Sequence, residues 1–562
     1  MKEIAILVAI ALLSGKLIIF LIQFVLSYIK WYQSPLWKLP GPSRRSTSWM
    51  FGKFFDIIYE PYMEPHKRWW REAEENARKE KDEKNAHIDM VHYSSAYGNH
   101  TILALNADIV QKVLFSNFSS DNPRFVKKLT GFDHILGDKG LVSLEGSDWQ
   151  RHRRILQPSF QKTSLNETLD SVVPSLVTKF ISYWQHHNKR EIDIGVHLSN
   201  LTLEILGHVA FSHEFHALDS IEKWAMKGDP QRKKQLNEPC DDENYLAHTT
   251  DKVIQALKES LRASPKKFLM FIFRLNKYDP NYYRTKKALN DAVDEVVENA
   301  KLKVKQSFSN TGGATSGTLP KGPRSLLEAL LDAKDTDPTS QKGRRYLDNI
   351  ELRDEVKTFI VAGHETTSTW CYWCVYVLSK HSDIQEKVYN DIMKHAPSAT
   401  SDETVNPFMI NVSMVSQMKY FDAFMKEVLR CYPPVGHLMR ITNQEVNFNG
   451  TSIPEKTRVV IPIHLLHRSP RYWTNPEEFR PERWLTDEYP TSHKNAYLPF
   501  SSGPRNCIGY YFAIMEAKLM MASLIRSFSF QIAPSQRDTK FQLTSFITMK
   551  IKPALKVCIC SR

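Results

Sequence analysis

The stretch Phe500-Ser-Ser-Gly-Pro-Arg-Asn-Cys-Ile-Gly509 sets one cysteine, Cys507, between two glycines in a short loop, with Arg505 two residues before it. An apolar helical pattern follows, from Tyr510 to about Ile525. A thiolate is a strong, soft ligand for haem iron, and its electron push favours O–O cleavage. Such a ligand needs N–H groups or positive charge nearby to stay anionic. Glycines let the backbone wrap close to the sulfur, and the following helix aims its positive end at it. Arg505 is placed to meet a haem propionate. The competing reading is a structural cysteine in a turn.

Further motifs lie upstream. Asp348 is a candidate cap for a long helix running to about Lys380, which carries Ala362-Gly363-His364-Glu365-Thr366-Thr367. An acid beside an alcohol in an apolar helix is costly unless used. Gly363 would let a ligand approach the helix backbone. Thr366 can lend its hydroxyl to activated oxygen or to a water, and Glu365 can relay protons. The bland alternative is a kinked helix with a satisfied threonine; His364 reads as structural. Glu427 and Arg430 stand three apart on one helix face. Phe479-Arg480-Pro481-Glu482-Arg483-Trp484 follows, and Trp149-Gln-Arg-His-Arg153 lies well upstream, with Arg154 read as a solvated neighbour.

In this order the motifs resemble those of the cytochrome P450 family. Phe500, Gly503, Arg505, Cys507 and Gly509 match its haem loop F-x-x-G-x-R-x-C-x-G. The 362–367 segment matches its oxygen-activation motif. The resemblance implies a mainly α fold with small β-sheets, heme b as cofactor, and Cys507 as axial ligand of the iron. It implies Thr366 and Glu365 as catalytic residues. It places Trp149, Arg153, Arg440 and Arg505 at the haem propionates. It also implies a buried ion network of Glu427, Arg430 and Arg483 that supports the loop without acting in catalysis. Ala362, Val435, Leu438 and Phe546 are the pocket candidates, and His437 reads either as a polar contact or as packing; the apolar lining suits a fatty acid, sterol or terpenoid. Such enzymes take electrons from NADPH through the flavins of NADPH-cytochrome P450 reductase, with cytochrome b5 as a second donor. Residues 136–157 and the helix around Ala362 look most like the fatty-acid hydroxylase branch. Many ω-hydroxylases of that branch carry a glutamate, able to esterify a haem methyl, where this chain has Ala362. A haem held without a covalent crosslink is therefore expected. The alternatives are a haem-thiolate isomerase or dehydratase working without O2, and a haem sensor or carrier.

The chain has 562 residues and a net charge of +13. No nucleic-acid module accompanies that basicity, so a membrane surface and an acidic protein partner are the expected counterparts. The cysteines number 7 and show no disulfide framework, which points to a reducing compartment. Cys371-x-x-Cys374 reads as packing, with a redox or metal pair as the alternative. Residues 4–29 are almost wholly apolar, interrupted by Lys16 among others, and a membrane helix needs about 20 such residues. Lys30, Lys38, Arg44 and Arg45 after the span put the body in the cytosol. The expected organisation is an anchor over 1–30, a basic, proline-rich linker over 31–50 and a monooxygenase domain over 51–562, single-pass in the endoplasmic reticulum membrane. The N-x-S/T sequons at Asn99, Asn117, Asn166, Asn200, Asn411 and Asn449 then read as chance matches. Helical patterns are expected over 66–86, 148–156 and 165–210, and strands at 103–107 with the residues before them, near 440–463 and near 540–558. Surface insertions are expected at 217–245 and 309–324.

Overall fold

A computed structural model describes residues 25–43, 47, 53, 56–57, 60–81, 87–95, 99–116, 124–127, 133–185, 190–219, 221, 251–262, 280–310, 325–333, 335, 346–396, 410–486, 493–545 and 548–562. The expected membrane segment lies outside the described residues as far as 24. No helix among the described residues is long and apolar enough to cross a membrane. Most of the two insertions and Phe546 also lie outside them. The chain divides into two compact units, one of Met1–Asn117, Asn122–Val126 and His437–Leu466, the other of Phe118–Asp121, Lys127–Gly436 and His467–Arg562.

The smaller unit is built on a five-stranded sheet. Its strands run in the order Met90–Ser94, His100–Ala104, Arg458–Ile461, Leu438–Thr442 and Phe125–Val126. His100–Ala104 pairs in parallel with Arg458–Ile461, and the other pairs are antiparallel. The helix Glu64–Lys81 buries Trp69, Trp70 and Ala73 against Val91, Tyr93, Leu103 and Val460. Those three residues share one turn-and-a-bit of helix, so a single apolar stripe covers one sheet face. The strand expected over 103–107 stops at Ala104, because Asn106 caps a new helix, Ala107–Leu114, by accepting from the Asp108 N–H at 2.7 Å.

The start of the linker is docked on this sheet. Trp31 Nε1 donates to Ser94 at 2.9 Å, and the His92 N–H donates to the Pro40 carbonyl at 2.8 Å. Gly41 has φ +142°, and a Cβ there would lie 2.0 Å from the His92 oxygen. Only glycine permits that approach.

The larger unit is mostly helical. Asn349–Lys380 runs through it, opened by a capping box in which Asp348 and Glu351 satisfy each other's backbone N–H. The helices Ile194–Leu206 and Tyr510–Ser527 pack against it. The helical pattern expected over 165–210 is two helices, Lys162–Gln185 and Ile194–Leu206, separated by the short strand Glu191–Asp193. That strand pairs with Lys556–Ser561, which also pairs with Phe528–Ile532. Gln542–Ser545 and Met549–Lys552 form a hairpin beside the long helix. Gly363 serves this packing: a Cβ there would sit 2.9 Å from Leu206 Cδ1. The glycine therefore admits the neighbouring helix, where the sequence suggested a ligand.

Candidate functional site

The cysteine loop folds on its own backbone. The Cys507 N–H donates to the Phe500 carbonyl at 3.0 Å and the Asn506 N–H to that of Gly503 at 3.1 Å. Gly503 takes φ +75°, a left-handed turn that suits glycine. The Phe500 ring meets Trp370 of the long helix edge-on at 6.2 Å. Cys507 stands just ahead of the helix Tyr510–Ser527, whose N-cap is Gly509.

The Cys507 side chain is solvent-accessible. Even so, surrounding protein pushes its thiol pKa up, opposed by the Gly509 N–H and by the charges of Arg153 and Lys127. The thiol is thus accessible and yet surrounded by protein. The long helix shows the same feature: residues 354–360 are all buried, whereas Ala362 is exposed and Thr366 partly so. An accessible sulfur with an N–H donor and two cations acting on it suits a thiolate-ligated haem.

The arginines assigned to propionates have protein partners here. Arg505, buried, donates to the Leu144 carbonyl at 2.5 Å and to Glu145 at 2.6 Å, and it lies over the Trp149 ring at 4.3 Å. Arg153 donates to the Asn506 carbonyl and side-chain oxygen, each at 2.9 Å. Arg154 is not a solvated neighbour: it makes a two-point pair with buried Asp335 at 2.9 and 3.1 Å. Between these, His152 binds Glu355 at 2.7 Å, and Arg151 pairs with Glu351. Arg440 belongs to the smaller unit, where it is buried on Leu438–Thr442 and donates to the Met439 carbonyl at 2.9 Å. Leu438 opens the same strand, and half-buried Val435 belongs to the larger unit.

Glu427, Arg430 and Arg483 meet in one buried cluster. Arg430 gives two bonds of 2.8 Å to the Glu427 carboxylate, and Arg483 Nε gives a third at 3.0 Å. Trp484 Nε1 and the Arg480 N–H, each at 2.9 Å, complete it. Despite burial, the two arginines and these N–H groups hold the Glu427 carboxyl below its ordinary range. Arg430 also donates to the His467 carbonyl at 2.8 Å, and His467 Nε2 accepts the Leu498 N–H at 2.8 Å. Nε2 is thus the acceptor, and Nδ1 carries the proton towards the Arg430 carbonyl at 3.2 Å. Leu498 in turn accepts from Ser501, inside the cysteine loop, at 3.0 Å. A continuous chain of bonds joins the ion cluster to the loop.

On the long helix, Thr366 donates to the Ala362 carbonyl at 2.7 Å. Glu365 accepts from Thr548 at 2.8 Å and pairs with Lys550 at 2.8 Å. His364 is buried, with Nδ1 2.5 Å from the Ile360 carbonyl. Cys371 and Cys374 are buried, and Cys374 touches the Met425 sulfur at 3.5 Å. Sequence reading missed Glu145, His467, Thr548 and Lys550. Each meets its partner from a distant segment, and no local spacing marks it.

Comparison with known proteins agrees with this geometry. The sequence profile of the family described as Cytochrome P450 matches residues 45–559. The chain belongs to the cytochrome P450 family, and it is a haem-dependent monooxygenase. It is 26% identical to cytochrome P450 4c21 of Blattella germanica, over 81% of this chain and 83% of that one. It is 28% identical to cytochrome P450 4Z1 of Homo sapiens, over 70% of each. The crystal structure of the cytochrome P450DA heme domain superposes with a TM-score of 0.66 at 20% identity, covering 93% of this chain and 96% of that one.

Proposed function

We propose that this chain hydroxylates or epoxidises an apolar substrate of the fatty-acid, sterol or terpenoid class, with Cys507 as the thiolate ligand. The observation that carries this is the accessible Cys507 together with exposed Ala362 and half-buried Thr366 on a helix that is buried over 354–360. Bound haem supplies dioxygen activation and one-electron chemistry. The protein supplies the rest. The Gly509 N–H, Arg153 and Lys127 partly offset the burial that raises the Cys507 pKa, which favours the thiolate that an iron would bind. The chain through His467 holds the loop rigid. Thr366 offers a hydroxyl on the accessible face, and Glu365 beside it handles protons. Arg153, Arg505 and Arg440 are the cations for the propionates; for the first two this means exchanging or sharing present partners.

Electrons come from NADPH-cytochrome P450 reductase, with cytochrome b5 as a second donor, and residues 4–29 anchor the chain in the endoplasmic reticulum membrane with its body cytosolic. The apolar N-terminus and the basic residues after it support that placement.

The deciding experiment is the ferrous–CO spectrum of Cys507→His. The wild type is expected to show the thiolate band and the variant to lose it; a retained band overturns the assignment. A lipid library scored by the low-spin to high-spin Soret shift then identifies the substrate. Thr366→Ala is expected to keep the CO band while product per NADPH falls several-fold, and unchanged coupling removes Thr366 from proton handling. Acid and organic solvent are expected to extract the haem completely, because Ala362 cannot form an ester. Haem retained in the intact-protein mass spectrum would refute this. Turnover without O2 and NADPH would instead favour the isomerase or dehydratase reading.

A further inference from the structure

Glu365, Thr369 and Trp373 recur at four-residue intervals, so they line one face of the long helix. The C-terminal hairpin meets all three. Lys550 Nζ lies 2.8 Å from Glu365 Oε1, the two side chains being only 7% and 14% exposed. Thr548 donates to the same carboxylate at 2.8 Å and accepts from Thr369 at 3.1 Å. Trp373 Nε1 donates to the Met549 carbonyl at 2.8 Å, and the Met549 N–H donates to the Pro434 carbonyl at 2.8 Å. These bonds pin the backbone next to Lys550, so its ammonium is delivered to Glu365 by a fixed strand.

We propose that Lys550 is a positioning residue for the reaction, which fixes Glu365 as a carboxylate on the hairpin side of the helix, one residue from Thr366. A carboxylate that takes a proton from water and hands it towards Thr366 ends as it began, ready for the next. A buried, neutral Glu365 would instead hold its proton.

The balance of forces agrees. Burial works to raise the Glu365 pKa, but the Lys550 charge, with His364 and the Thr548 hydroxyl, outweighs it and leaves the carboxyl below its ordinary range. Asp193, which caps Ile194–Leu206, also feels the charges of Lys550 and Lys556. Without Lys550 the burial effect loses its largest opponent, and Glu365 is expected to shift towards its protonated form.

The inference rests on the monooxygenase reading for its effect on turnover, but its first test does not. Infrared spectra of the full-length haem-loaded protein at neutral pH report protonated carboxyl groups directly. Buried acids common to all variants cancel in difference spectra. Lys550→Met, with Lys550→Gln as a second charge-removing variant, is expected to gain a protonated-carboxyl band. That band is expected to be absent from Lys550→Met/Glu365→Gln and from Lys550→Arg. No new band, a band that survives in the double variant, or a band equally present in Lys550→Arg would each overturn the proposal. With reductase and NADPH, the share of electrons released as hydrogen peroxide is expected to rise several-fold in Lys550→Met and to return in Lys550→Arg; an unchanged share overturns it. A wild-type protein without the thiolate CO band would overturn the proposed function, while the infrared result still decides the role of Lys550.

Discussion

Two carboxyl groups, each 0% exposed, are treated in opposite ways by this fold. Glu427, in the cluster behind the cysteine loop, is met by Arg430, Arg483, Trp484 and the Arg480 N–H. It is held ionised. Glu516, where Tyr510–Ser527 packs on the long helix, has the Thr367 hydroxyl as the polar group acting on it, and burial pushes its carboxyl well above the ordinary range. Thr367 gives its proton to the Gly363 carbonyl at 3.2 Å, and neither Glu516 oxygen has a hydrogen-bond partner among the described residues. Depth is the same in both regions. The donors that other segments bring decide whether the buried acid carries charge.

The largest test of this contrast is Glu427→Ala. It strands two buried guanidinium groups and is expected to cost about 3–5 kcal/mol, read from urea unfolding of the haem-loaded protein. A loss below ~1 kcal/mol would place Glu427 with the weak surface pairs.

The pH dependence sharpens the contrast by sign. The folded Glu427 pKa lies below its reference of 4.5, so its contribution is whole above that value and drains as pH falls towards the folded pKa. Glu516 is the reverse, with a folded pKa above 4.5. Its contribution is whole below 4.5 and is lost as pH rises towards the folded pKa. Glu427→Gln is expected to flatten the acid limb of the urea midpoint against pH, and Glu516→Gln the neutral-to-alkaline side. Interchanged limbs would break the comparison.

Below pH 4.5, where Glu516 is neutral in the folded and the unfolded chain alike, Glu516→Gln replaces a neutral acid by an amide of similar shape and is expected to change stability by no more than about 1 kcal/mol. The smallest effect is expected at the surface. Lys387 and Glu482 pair at 3.0 Å with both side chains exposed. Lys387→Ala is expected to cost ~0.2–1 kcal/mol, falling further in salt.

Much of the candidate site was legible in the sequence because its parts are local. The cysteine loop is a run of ten residues whose turns need only their own glycine and backbone bonds. Glu427 and Arg430 share a helix face by spacing alone, and Asp348 marks the start of its helix by a capping pattern that spans four residues. The errors fell where a distant segment intervenes. Gly363 signalled ligand access, but Leu206 fills the space beside it. Arg154 looked solvated, but Asp335 meets it from another part of the chain. The proline-rich linker carries no local signal of a docking partner, but Trp31 and Pro40 fasten its start to the first strand pair.

The sequence by itself determined the family, the loop motif around Cys507, the neighbouring acid and alcohol and the helix that carries them, since each is written in residues that are neighbours along the chain. Only the tertiary structure decided the charge of the acids, the partners of Arg153 and Arg505, and the link through His467 from the ion cluster to the loop. The physical reason is that a buried group's ionisation depends on donors within a few ångströms, and here Lys550, Glu145 and His467 reach those distances only after the chain has folded.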